Sequence, residues 1–152
     1  MCGLFTTKKL LLYSTHMHND TVFGKIIRGE IPATKVYEDD TFLAFLDINP
    51  VTNGHTLLIP KAHYTWIHEA PDELVAQIFV KAKELINAMR TGIPCDYVQV
   101  GVVGNEIPHL HIHLIPRYFE GEVHISSRPH EPYTDTAEMH AFADKIRNGL
   151  KT

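Results

Sequence analysis

The chain has 152 residues, enough for one domain with a sizeable core. Its net charge of −4, with no cluster of Lys and Arg interleaved with aromatics, gives no general attraction to nucleic acid or to an anionic membrane surface. Two cysteines, Cys2 and Cys95, exclude a disulfide framework or a four-cysteine zinc site and point to a reducing compartment, the cytoplasm, and no apolar run has the length of a membrane span.

Residues 1–18 contain no acid, a Lys8-Lys9 pair and a short apolar run, Leu10 to Tyr13. They lack the arginines of a transit peptide and the longer core of a secretory signal, so they are read as a disordered extension before a single domain at 19–152. Residues 21–28 place Val22, Phe23, Ile26 and Ile27 on one helical face, with Asp20 as N-cap and Gly29 as stop. A strand begins near Val36, and Glu38-Asp39-Asp40 turn the chain. Residues 41–48 are apolar on both parities, the pattern of a strand covered on both faces. Residues 55–59 form a short strand ended by Pro60.

Residues 71–90 carry Val75, Ile78, Phe79, Ala82, Leu85, Ile86 and Met89 at spacings of three and four, a long amphipathic helix. Residues 97–103 read as a strand, 104–108 as a loop and 109–115 as another strand. A polar, Pro-rich stretch follows to residue 134, then a weaker helix over 136–148 carrying Ala137, His140, Ala141 and Ile146. The expected class is α+β: about five antiparallel strands, one long helix and short terminal helices.

The stretch Pro108–Arg117, PHLHIHLIPR, alternates His109, His111 and His113 with Leu110, Ile112 and Leu114. Alternation is the period of a half-buried strand, so three imidazoles share one face. Such a row can ligate metal, although three strand positions span roughly 13 Å and rarely reach one ion. It can also perform covalent phosphoryl or nucleotidyl transfer, with one neutral imidazole as nucleophile and its neighbours stabilising phosphate charge.

The same stretch resembles the His-φ-His-φ-His-φ-φ signature of the histidine triad (HIT) nucleotide hydrolases and transferases. TVFGKIIRGEIP, VYEDD and AFLDINPVTNGHTLLIPKAHY also look like blocks of that family in the same order, over roughly residues 20–117. The likeness is strongest to the small nucleotide-binding branch, which hydrolyses purine nucleoside phosphoramidates and aminoacyl-adenylates. It implies a HIT-like fold and a homodimer with a sheet continuous across both subunits. It implies an AMP or GMP derivative as substrate, through a nucleotidyl-histidine intermediate, and no cofactor. By position, His111 is the implied nucleophile, and His113 contacts the α-phosphate and leaving group. His109 orients the nucleophile, and His55 completes the set. Asp47 resembles the ribose acceptor, and Val22, Phe23, Ile26, Phe45 and Ile48 the base pocket. Two alternatives stay open: a diadenosine polyphosphate hydrolase and a nucleotide-binding adaptor with little turnover.

The sequence departs from the family twice. Many bacterial relatives bind a structural zinc through C-x-x-C and histidines at the positions of His63 and His109; Thr21 and Gly24 replace those cysteines, so no structural zinc is expected and His63 is read as exposed. The loop before the triad is also short, VGVVGNEIPH. Glu106 takes the place of a hydroxyl donor, and a carboxylate about 4 Å from phosphate would be repelled by roughly 4 kcal/mol at an effective dielectric of 20. Glu106 is therefore expected to face away, unless the leaving group is handled differently. Asn105 is the candidate phosphate or leaving-group contact, and Gln99 the substitute for an upstream amide.

Overall fold

A computed structural model describes residues 20–119 and 132–151. The extension expected over residues 1–18, and much of the Pro-rich stretch, lie outside the described residues. The elements are α1 (Val22–Ile27), β1 (Lys35–Glu38), β2 (Phe42–Leu46), β3 (Thr56–Pro60), α2 (Asp72–Gly92), β4 (Tyr97–Val102), β5 (Ile112–Arg117) and α3 (Thr136–Gly149). The five strands form one antiparallel sheet in the order β1-β2-β3-β5-β4. The crossover through α2 carries the chain past β5 to β4, which lies at the edge.

The double-parity apolar pattern of β2 is explained within one subunit. Phe42, Ala44 and Leu46 face a core shared with Leu58, Ile112 and Leu114, against Ile78, Leu85 and Met89 of α2 and Met139, Ala143 and Ile146 of α3. Leu43 and Phe45 face the opposite side with Leu57 and Ile59, covered by Phe23 and Ile26 of α1. A partner subunit is not needed to cover this strand.

Several local readings change. The α1 N-cap is Thr21, whose hydroxyl accepts from the Gly24 N–H at 3.0 Å; Asp20 instead lies 3.4 Å from Lys25 Nζ. Phe79 of α2 is exposed. The buried stripe of α3 is Met139, Ala143 and Ile146, with Asp135 as N-cap, so the expected positions Ala137, His140 and Ala141 are exposed and only Ile146 was read correctly.

The histidine strand begins at Ile112, three residues later than expected. Pro60 supplies the reason. Its ring has no N–H to extend the β3–β5 ladder beyond the Leu58–Ile112 pair. Upstream, the Leu110 N–H donates to the Tyr64 carbonyl and the His109 N–H to the Ile107 carbonyl.

Candidate functional site

The α1 side of the sheet is laid out by register. Phe45, Leu57, His113 and Gly101 are neighbours across β2, β3, β5 and β4. One step along, the Asp47 N–H donates to the His55 carbonyl, and Gln99 pairs with Ile115. Residues distant in sequence therefore meet because side chains of one parity share a face.

His111 is buried, and its Nδ1–H donates to the carbonyl of His109 at 2.6 Å. A carbonyl can only accept, so the proton sits on Nδ1 and the lone pair on Nε2. Burial pushes the His111 pKa below its ordinary value, while the His109 carbonyl and the charges of Asp47 and Glu106 pull it back up. Burial thus favours a neutral ring with an available lone pair. Phe23 meets the ring edge-on at 5.1 Å between centroids and touches Phe45 and His109 similarly.

His109 is only 1% exposed and does not line the cavity beside His111. Its Nε2–H donates to the Pro60 carbonyl at 2.9 Å, and burial lowers its pKa to about 4. The orienting group it offers His111 is its backbone carbonyl, not its ring.

His113 and His55 share a hydrogen bond of 2.9 Å between Nδ1 and Nε2. His55 Nδ1 accepts from the Val51 N–H at 3.2 Å, which puts the His55 proton on Nε2. His113 then accepts at Nδ1 and carries its own proton on Nε2. Asp47 Oδ2 lies 3.6 Å from His55 Nδ1, and its Oδ1 accepts from the Asn49 N–H at 2.9 Å. Among the described residues, Asp47, His55 and His113 form a group able to ligate metal, with one donor atom of each within 4.8 Å of the others. A carboxylate absent from the histidine strand thus arrives from the end of β2. Any ion there must displace the proton shared by the two rings.

These groups open on a cavity of about 740 Å³. The predicted residues Val22, Phe23, Ile26, Phe45, Ile48, Asp47, His55, Gln99, Asn105, His111 and His113 all line it; His109 alone does not. Phe23, Ile26 and Phe45 are buried in its wall, whereas Val22 and Ile48 are 49% and 75% exposed. Glu106, expected to face away, is exposed to solvent and is among the residues around the cavity, beside Asn105. The segment Asn105 to His109 is bent rather than extended, so strand parity does not sort its side chains.

The sequence reading missed Arg117, 5% exposed and lining the same cavity. It continues the parity of His113 through Ile115, a signal the alternation already contained. Gly101, opposite His113, was missed too; a residue without a side chain leaves no chemical signature.

The positions that hold zinc in relatives do not offer a zinc set here. Thr21 caps α1, and its hydroxyl lies 3.5 Å from His109 Nδ1; Gly24 has no side chain. His63 is half-buried rather than exposed and donates from Nε2 to the Pro108 carbonyl at 2.8 Å. With no thiolate at positions 21 and 24, the four-ligand set expected in those relatives is not reproduced by the residues present.

Comparison with known proteins agrees with this geometry. Over 109 residues the chain is 44% identical to adenylylsulfatase HINT3 of Arabidopsis thaliana, covering 68% of this chain and 55% of that protein. Over 97 residues it is 40% identical to adenosine 5'-monophosphoramidase HNT1 of Saccharomyces cerevisiae, covering 63% and 61%. The match therefore spans less than two thirds of either relative. A zinc-bound histidine triad family protein from Mycobacterium smegmatis superposes with a TM-score of 0.74 at 30% identity, covering 87% of this chain and 94% of that one. The HIT domain profile matches residues 28–120, and the chain belongs to the HIT domain family.

Proposed function

We propose that this protein is a nucleotide hydrolase that cleaves purine nucleoside 5'-monophosphate phosphoramidates or acyl-nucleotides through a nucleotidyl-His111 intermediate. The observation that carries the reading is the Nδ1–H bond from His111 to the His109 carbonyl, which aims the Nε2 lone pair at a nucleotide-sized cavity. Nε2 attacks the α-phosphorus and the bond to the leaving group breaks; an amine leaves with the electron pair and the proton of His113 Nε2–H, an acyl oxygen as its carboxylate. Water then attacks the same phosphorus and gives a proton to His113 where that ring has lost one, and the P–Nε2 bond breaks to free the nucleoside monophosphate. His113 presents Nε2–H to the phosphate oxygens, and His55 holds that tautomer. Asp47 accepts from the ribose hydroxyls, and Phe23, Ile26, Phe45, Val22 and Ile48 enclose the base. Asn105 and Gln99 contribute amides at the phosphate side. The activities that HINT3 and HNT1 are named for, an adenylylsulfatase and an adenosine 5'-monophosphoramidase, support a nucleotide hydrolase.

The working form in this reading is a cytosolic homodimer joined through β4. That strand is an edge of the sheet, and its Val100 and Val102 are each 41% exposed. Such an edge is a template for pairing with a second copy.

The test incubates the protein with an adenosine phosphoramidate, a diadenosine polyphosphate and AMP, beside a His111→Ala variant. The expected result is phosphoramidate turnover that His111→Ala lowers by at least about a thousandfold. Turnover that survives the substitution rules out the covalent route. Preference for the polyphosphate selects the diadenosine reading, and AMP binding without turnover selects an adaptor.

A further inference from the structure

The carboxylate of Glu106 is the feature the reaction above leaves unused. Glu106 is among the residues around the cavity of His111 and His113, where the substrate's own phosphate is negative. Beside Asp47, it is the only acid among the described lining residues. Its charge reaches the His111 ring, which it biases toward the protonated form.

The loop holds it there. The Gly104 Cα lies against the Trp66 indole so closely that an added Cβ would meet Cζ3 at 2.8 Å. Ile107, on the other side, packs onto the Phe23–Ile59 cluster. The backbone is thus held on both sides of Asn105 and Glu106, whose side chains are exposed.

The same cavity has open space at another point of its wall. Gly101 pairs with His113 across β4 and β5, and a Cβ built on it meets nothing within 4 Å. Its φ is not in the left-handed region, so the backbone does not demand glycine. What the glycine provides is an open slot beside His113. Arg117, the one basic lining residue other than histidine, sits four positions along β5 from His113, roughly 13 Å away.

We propose that Glu106 and the slot over Gly101 select a leaving group that carries a positive charge: an amine or acyl group with an ammonium near the scissile bond. The proposal rests on the hydrolase reading above and names its leaving group. The ammonium answers the carboxylate, and the phosphate–Glu106 repulsion that penalises a neutral or anionic leaving group is offset.

The experiment uses three adenosine 5'-phosphoramidates of matched length, N-linked to propylamine, to 1,3-diaminopropane and to β-alanine. Their far ends are neutral, cationic and anionic. Values of kcat/KM are taken for the full chain and for Glu106→Gln, each normalised to the propylamine compound in the same protein. At low salt the native protein is expected to favour the diaminopropane compound over the neutral propylamine compound by about a hundredfold, as one charge pair at about 6 Å gives at an effective dielectric of 20, and to disfavour the β-alanine compound by a similar factor. Added salt shrinks both ratios. Glu106→Gln is expected to bring the two charged compounds within about threefold, because the amide keeps size but not charge. A flat native ratio, or a preference that persists in Glu106→Gln, overturns the proposal. Hydrolysis of the neutral compound with no charge preference refutes the selection alone and leaves the hydrolase reading standing. Failure to hydrolyse any of the three refutes the hydrolase reading and this inference with it.

Discussion

The ring of His109 is a sharp test of the site, because it is buried where desolvation of its charged form outweighs the support of the Pro60 carbonyl. It is 1% exposed, its Nε2–H is committed to the Pro60 carbonyl, and its pKa falls from 6.5 to about 4. Burial is the main cause, and the neighbouring His63 and His111 rings lower it further. In the unfolded chain the same ring titrates near its ordinary value. Between these two pKa values the unfolded state binds more protons, so stability falls as pH falls. The loss begins below about pH 6.5 and is complete below about pH 4. A shift of roughly 2.5 units corresponds to about 3.4 kcal/mol in total, of which about 2 kcal/mol has appeared at pH 5.0 and almost none at pH 7.5.

The assay is urea unfolding of the native protein and of His109→Gln at pH 7.5 and 5.0. Gln keeps an amide donor for the Pro60 carbonyl but does not titrate. Carboxylates elsewhere contribute equally to both proteins, so the comparison isolates this ring. From pH 7.5 to 5.0 the native protein should lose about 2 kcal/mol more than the variant. Equal losses would mean that His109 accepts a proton in the folded state, and the account of a neutral, orienting residue beneath His111 would be wrong.

Two further outcomes follow from the same geometry. His55→Leu removes both the acceptor for Val51 N–H and the donor to His113 Nδ1, so His113 loses its fixed tautomer. Turnover of an adenosine phosphoramidate should fall by about ten- to a hundredfold in kcat, the loss of one positioned hydrogen bond, and an unchanged kcat refutes the relay. At β4, sedimentation should find the 17.3 kDa chain at twice its mass, and Val100→Lys with Val102→Lys should return it to a monomer. A monomeric native protein sinks the dimer.

The sequence by itself determined the parts that depend on short-range periodicity. Alternation marked the histidine face, double-parity apolarity marked β2 as covered on both sides, and three-four spacing marked α2. These signals survive because each reports how one segment meets its surroundings. The resemblance and its departures also brought eleven of the cavity's residues into view, from Val22 to His113.

Tertiary structure decided the rest, because it joins positions that no local period relates. Pro60, with no N–H to give, delays β5 by three residues and frees its carbonyl for His109. The carbonyl of His109, rather than its ring, then sets the tautomer of His111. His55 and Val51 set that of His113 from another strand and loop. Glu106 comes to the edge of the cavity because a bend, not a strand, carries the chain there. Which way a loop residue points depends on what pins its two ends. Here those ends are held by the Trp66 indole and the α1-side core, both brought there only by the folded chain.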